Sequence, residues 1–127
     1  MYLIIVGAGA VSRQLISLAT EQGHRVAVIE KRAERAREIM QQFDVQIFHA
    51  DIAQGNVLEE TDIKNADAVI ATTKDDSVNL MTMLLGKEYQ VKHLNHIYFE
   101  TRSFSSSVSR CFLTQRRSLR ERELALI

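Results

Sequence analysis

Gly7-Ala8-Gly9-Ala10-Val11-Ser12 places two glycines two residues apart, directly after the apolar run Tyr2-Leu3-Ile4-Ile5-Val6 and before a stretch with helical spacing. A glycine at the first position permits a tight turn, and one at the second lets a pyrophosphate approach the main chain. The free N–H groups opening the following helix then favour the anion. Phosphate binding is the chemistry expected of this loop, with Gly7, Ala8, Gly9, Ala10 and Val11 as its residues. The G-x-G-x-x-G pattern departs at its last position, where Ser12 adds a Cβ and a hydroxyl. That change either loosens the packing of helix on strand or supplies a donor to phosphate.

Glu30 ends the next apolar run, Val26-Ala27-Val28-Ile29, where a carboxylate can accept hydrogen bonds from an adenosine ribose. A carboxylate there repels a 2′-phosphate and favours NAD(H) over NADP(H), while Lys31 and Arg32 next to it offset the repulsion. ATP and ADP, with an unmodified ribose, are equally compatible. Asp51 follows a third run at the expected adenine edge. Thr72 and Thr73 follow a fourth and read either as hydroxyl donors to phosphate or ribose or as turn and cap residues. Asp75, Asp76 and Asn79 read as capping or interface residues first and ligand contacts second.

No catalytic constellation accompanies these residues. Tyr89 and Lys92 are three apart rather than four and fall at a predicted helix end, and no Ser-His-Asp or paired-carboxylate arrangement emerges. His24, His49, His93 and His96 are scattered, so no metal site is expected. Cys111 is the single cysteine, which excludes an internal disulfide and fits a reducing compartment. The apolar stretch Leu3–Val11 falls well short of the roughly 18 residues of a membrane span. Formal net charge is +0, yet residues 101–127 hold six of the 16 Lys and Arg and two of the 16 Asp and Glu. That basic end lacks interleaved aromatics or a reading helix, so no nucleic-acid partner is expected.

The elements that must position these residues alternate. Short runs at Tyr2–Val6, Val26–Ile29, Val45–Phe48, Ala68–Ala71 and His93–Phe99 predict strands, the first of them continuously apolar and partly β-branched. Between them, Val11, Leu15, Leu18 and Ala19 predict a helix ending near Gln22, with Gly23 as its left-handed stop. Ala33, Ala36, Ile39, Met40 and Phe43 predict a second helix, and Val57, Leu58 and Ile63 a short segment. Asp75 or Asp76 caps a helix through Val78, Met81, Leu84 and Leu85. Strand–helix alternation of this kind implies an α/β fold, a Rossmann-like open parallel sheet with helices on both faces in three α/β/α layers. Residues 1–100 form the expected nucleotide-binding domain. Residues 101–127 form an atypical Ser/Arg-rich tail in which Leu119, Leu124 and Leu126 are compatible with a terminal helix.

The chain resembles the RCK (KTN, TrkA N-terminal) nucleotide-binding domains of Trk-type potassium-uptake regulatory proteins. The likeness is carried by Met1–Gly9, by Gly23-His24-Arg25-Val26 and Val28-Ile29-Glu30-Lys31, and by Ala66-Asp67-Ala68 with Ala71-Thr72-Thr73. It continues through Asp76-Ser77-Val78-Asn79-Leu80-Met81 and Leu84-Leu85-Gly86-Lys87-Glu88. The resemblance implies that Gly7, Gly9 and Glu30 bind NAD(H), or ATP/ADP, with Asp51 and Thr72 lining the same cleft. It implies a non-catalytic effector site in a cytoplasmic, peripheral regulatory subunit. That subunit forms homo-oligomers and gates an integral membrane potassium-transport subunit at the inner membrane. An NAD-dependent oxidoreductase, or a fragment of one, is the alternative; a DNA-binding regulator using the basic tail is a more distant one. Ala50 and Ile52 replace the family's usual small residues, and Ile52 is expected to crowd the adenine. After His93-Leu94 the family motifs stop, and the tail is expected to be a truncated or frame-shifted end that the alternative frames of the coding DNA would reveal.

Overall fold

A computed structural model describes residues 1–54 and 56–96. The expected strand residues Ile97–Phe99 and the tail over 101–127 lie outside the described residues.

The strands are β1 (Tyr2–Val6), β2 (Arg25–Glu30), β3 (Gln46–His49), β4 (Ala68–Ala71) and β5 (His93–His96). They form a single parallel sheet in the order β3-β2-β1-β4-β5. Parallel neighbours cannot be joined by hairpins, so each connection carries helix. These are α1 (Ala10–Glu21), α2 (Ala33–Gln42), α3 (Val57–Glu60) with a 3-10 turn at Ile63–Asn65, and α4 (Asp76–Glu88). The Rossmann-like sheet expected from the alternation is the one observed.

β1 is buried along its whole length, which is why its sequence runs apolar without alternation. Its odd and even residues feed separate cores. Leu3 and Ile5 pack with Ile16 and Ala19 of α1 and Ile39 of α2. Tyr2, Ile4 and Val6 pack with Val57, Leu58 and Ile63, and against them lie Val78, Met81 and Leu85 of α4.

Two helix faces differ from those the periodicity suggests. In α1 the buried stripe is Ser12, Ile16 and Ala19, whereas Val11 and Leu18 are 43% and 56% exposed. The helix starts close above β1 to bring its N-terminus to the loop, and small side chains on either side of Ile16 permit that approach. In α4 the buried stripe is Asn79, Thr82 and Gly86, and Leu84 faces out. A Cβ on Gly86 would lie 2.5 Å from Leu94 Cδ2, so α4 and β5 meet where there is no side chain.

The termini of these elements are set locally. Gly23, at φ +78°, follows α1 as expected, and His24 N donates to Ala19 O to close the stop. Asp75 caps α4, its Oδ1 accepting from Ser77 N and Val78 N. Asp67, just before β4, accepts from Tyr2 N through Oδ2 at 2.7 Å, while its own N–H donates to Tyr2 O. This reciprocal pair fixes the register of β1 on β4.

Candidate functional site

In this strand order α1 leaves β1 over one face and α4 leaves β4 over the other. The loops after β1 and β4 therefore diverge and leave a crevice at the carboxyl ends of the strands. Gly7–Gly9 forms one wall and Thr72–Asp75 the other.

Gly7 is where the turn demands glycine. Its φ is +107°, and a Cβ there would meet Thr72 Oγ1 at 2.9 Å and the Thr72 carbonyl carbon at 3.2 Å. Gly9 differs, because it has ordinary φ and a Cβ there would meet nothing within 4 Å. The space above Gly9 is thus open, as a phosphate approaching the backbone requires. Gly9 is also the N-cap of α1, with no side-chain cap and no acidic residue in the first turn. The N-terminus of α4, by contrast, carries Asp75 as a cap and Asp76 in its first turn. An anion is therefore favoured at α1 and opposed at α4. Ala8 is buried under the loop, while Ala10 and Val11 are exposed at its rim.

Ser12 takes neither of the roles expected for it. It is fully buried, and its hydroxyl hydrogen-bonds Thr72 Oγ1 on the opposite wall. Thr72 Oγ1 in turn donates to Val6 O at 3.0 Å. The hydroxyls of Ser12 and Thr72 thus tie helix to sheet and face inward. Thr73 is likewise engaged: its N–H and Oγ1 donate to Asn79 Oδ1 at 3.1 and 2.6 Å, and Asn79 Nδ2 donates to Thr73 O. Thr73 Oγ1 also accepts from Asp75 N at 3.3 Å, the bond of a turn residue, while Asp75 is the cap. Asn79, read in sequence as a capping or interface residue, instead supports the β4 wall from a buried position inside α4. The available signal was an amide side chain at a helix-facing position with no surface role.

On the side of the glycine loop away from Thr72, Glu30 is buried at the end of β2, its Oε1 accepting from Arg32 N at 2.8 Å. That bond orients the carboxylate. Lys31 and Arg32 are exposed beside it. His49 donates from Nε2 to Lys31 O at 3.1 Å, which joins the ends of β2 and β3. Asp51 is half-buried and closes a turn by accepting from Ala53 N. Ile52 is buried in the core formed with Val57 and Leu58, which takes up its bulk.

Among the described residues, no group of three His, Cys, Asp or Glu side chains is placed to hold a metal ion. Tyr89 lies at the far end of α4 from the crevice and donates to Glu59 Oε1, a bond that raises its pKa above the ordinary value. His96, half-buried at the end of β5, has its pKa lowered by burial, with the nearby Asp76 charge opposing the shift. No described helix is long and apolar enough to cross a membrane.

An open glycine approach, an uncapped helix start and an oriented carboxylate one strand away fit an adenosine-diphosphate moiety. Together with the strand order they define a Rossmann-like NAD(P)-binding fold. The same architecture occurs in the NAD(P)-binding domain of an exopolyphosphatase-related protein from Archaeoglobus fulgidus. The match has a TM-score of 0.67 at 17% identity and covers 91% of this chain and 97% of that one. It occurs as well in the TrkA-N domain of the inner membrane protein ybaL from Escherichia coli, with a TM-score of 0.56 at 13% identity, covering 89% and 94% of the two chains. The chain belongs to the TrkA-N domain family, whose model matches residues 3–106, past the His93-Leu94 where the sequence motifs stop. A Trk system potassium uptake protein TrkA homolog from Pyrococcus abyssi is 40% identical over 95 residues, covering 75% of this chain. The chain spans about 40% of the length of that relative.

Proposed function

We propose that this chain is a nucleotide-sensing regulatory component of a potassium-uptake system, with NAD(H) or ATP/ADP seated on the Gly7–Gly9 loop and reaching Glu30. The observation that carries the reading is the open approach at Gly9 onto an uncapped helix start, one strand away from the Glu30 carboxylate. Family membership supplies the potassium-transport context. Gly7, Ala8, Gly9, Ala10 and Val11 form the phosphate seat, Glu30 receives the ribose, and Asp51 and Lys31 border the adenine side. Thr72 and Thr73 shape the opposite wall through their backbone, because their hydroxyls are used within the protein.

The nucleotide acts as an effector and not as a substrate. A ligand that binds one arrangement of an oligomer better than another shifts their populations, and that shift is passed to the integral membrane subunit on the cytoplasmic side. Thermal-shift titration with NAD, NADH, NADP, ATP and ADP tests the site. A ligand present at a hundred times its dissociation constant adds about 2.7 kcal/mol of stability. A rise in melting temperature with NAD(H) or ATP/ADP, and a weaker one with NADP, is expected. No response to any of the five overturns the nucleotide reading, and steady consumption of NADH with a carbonyl substrate overturns the effector role.

A further inference from the structure

Three buried polar residues lie in series beneath the loops that follow β1 and β4. Ser12 belongs to α1 on one face of the sheet, Thr72 ends β4, and Asn79 belongs to α4 on the other face. Thr72 Oγ1 has one proton and gives it to Val6 O, so in its bond with Ser12 it accepts and the Ser12 hydroxyl donates. One peptide further on, Thr73 is held by Asn79 through its N–H, its hydroxyl and its carbonyl. A glycine at position 12 could make no such bond.

We propose that Ser12 is a positioning residue whose bond to Thr72 holds the two walls of the crevice at a fixed separation, favouring a ligand that spans both walls over one that occupies the Glu30 side alone. The proposal rests on the nucleotide-binding reading above. Apart from Ser12–Thr72, the described bonds between the β1 and β4 ends run from Thr72 N and Oγ1 to the Val6 carbonyl, so the α1 side of the loop is tied to β4 by the serine. A dinucleotide lying across the switch point touches both walls, whereas ADP needs the glycine loop and Glu30 only. Releasing the tie therefore penalises NAD selectively. One buried hydrogen bond corresponds to about a fivefold change in affinity.

The test uses the full chain with Ser12→Ala, Thr72→Val and Thr72→Ser, measuring NAD and ADP affinity by calorimetry and amide exchange of the ligand-free protein by NMR. Ser12→Ala and Thr72→Val should each lower the NAD-to-ADP affinity ratio by about fivefold. The double variant should lose no more than either single one, and Thr72→Ser should keep the wild-type ratio. Without ligand, the Thr73 amide should exchange about fivefold faster in Ser12→Ala while β1 core amides are unchanged. An unchanged ratio in both single variants overturns the proposal, as does wild-type binding of ADP without NAD. Failure of the wild type to bind either nucleotide is a failure of the site reading instead. The tie is then judged by Thr73 exchange, and an unchanged exchange rate in Ser12→Ala overturns it.

Discussion

Alanine at each of the two loop glycines should separate scaffold from site. At Gly7 the substitution meets two penalties. A φ of +107° is costly for an L side chain, by about 1–3 kcal/mol. The new methyl would also lie 2.9 Å from Thr72 Oγ1 and 3.2 Å from the Thr72 carbonyl carbon, and overpacking of this kind costs about 1–3 kcal/mol. Together these approach half of the roughly 5–15 kcal/mol that holds a typical domain folded. Gly7→Ala should therefore melt on the order of 10 °C lower. At Gly9 the backbone is extended and the added methyl meets nothing within 4 Å. Alanine is a poorer N-cap than glycine by about 0.5–1 kcal/mol, but it reduces unfolded-state entropy by about 0.4–1 kcal/mol. These nearly cancel, so Gly9→Ala should melt within about 3 °C of the wild type. Its methyl nevertheless stands where a phosphate would approach the backbone, and nucleotide affinity should fall more than about tenfold. Thermal melts and nucleotide titrations on both variants provide the readout. Wild-type affinity in Gly9→Ala would refute the placement of the phosphate, and an unshifted melt in Gly7→Ala would refute the steric argument.

Three further outcomes are expected. Asp75→Ala should destabilise the protein by about 1 kcal/mol, since the Oδ1 that caps Ser77 N and Val78 N is lost, and Asp75→Asn should recover most of it in chemical denaturation. Gly86→Ala should destabilise despite better helix propensity, because its Cβ lies 2.5 Å from Leu94 Cδ2; in a Leu94→Ala background the same change should become stabilising by about 1 kcal/mol. Burial lowers the His96 pKa from 6.5, so below that pH the unfolded chain takes up a proton that the folded one resists. Stability should fall as pH drops from 6.5 through the folded value and be level above it. His96→Gln should flatten this part of the profile in melts at pH 5.5 and 7.5, and an unchanged slope would exclude His96 as its source.

The order of strands and helices, the glycine turn and the carboxylate ending β2 were all legible in the sequence. They are local features. A buried parallel strand must run apolar, a turn at positive φ selects glycine, and a helix stop or cap draws on residues within a few positions of it. The family motifs added the nucleotide and transport context over the same residues. In α2 the predicted Ala36 and Ile39 are the buried residues, but in α1 only the tertiary structure decided which phase of the pattern faces the sheet. Val11 and Leu18 looked like core, yet Ser12, Ile16 and Ala19 are buried, because close approach of α1 to β1 favours small side chains. It also placed the side chain of Ile52 in the core with Val57 and Leu58. Above all it joined Ser12 to Thr72, residues 60 positions apart, and turned an apparent defect in the glycine motif into a bond across the crevice. Local pattern cannot reveal such a pair, because the hydroxyls meet only after the crossover through β2, β3 and α3 has returned the chain to the other side of β1.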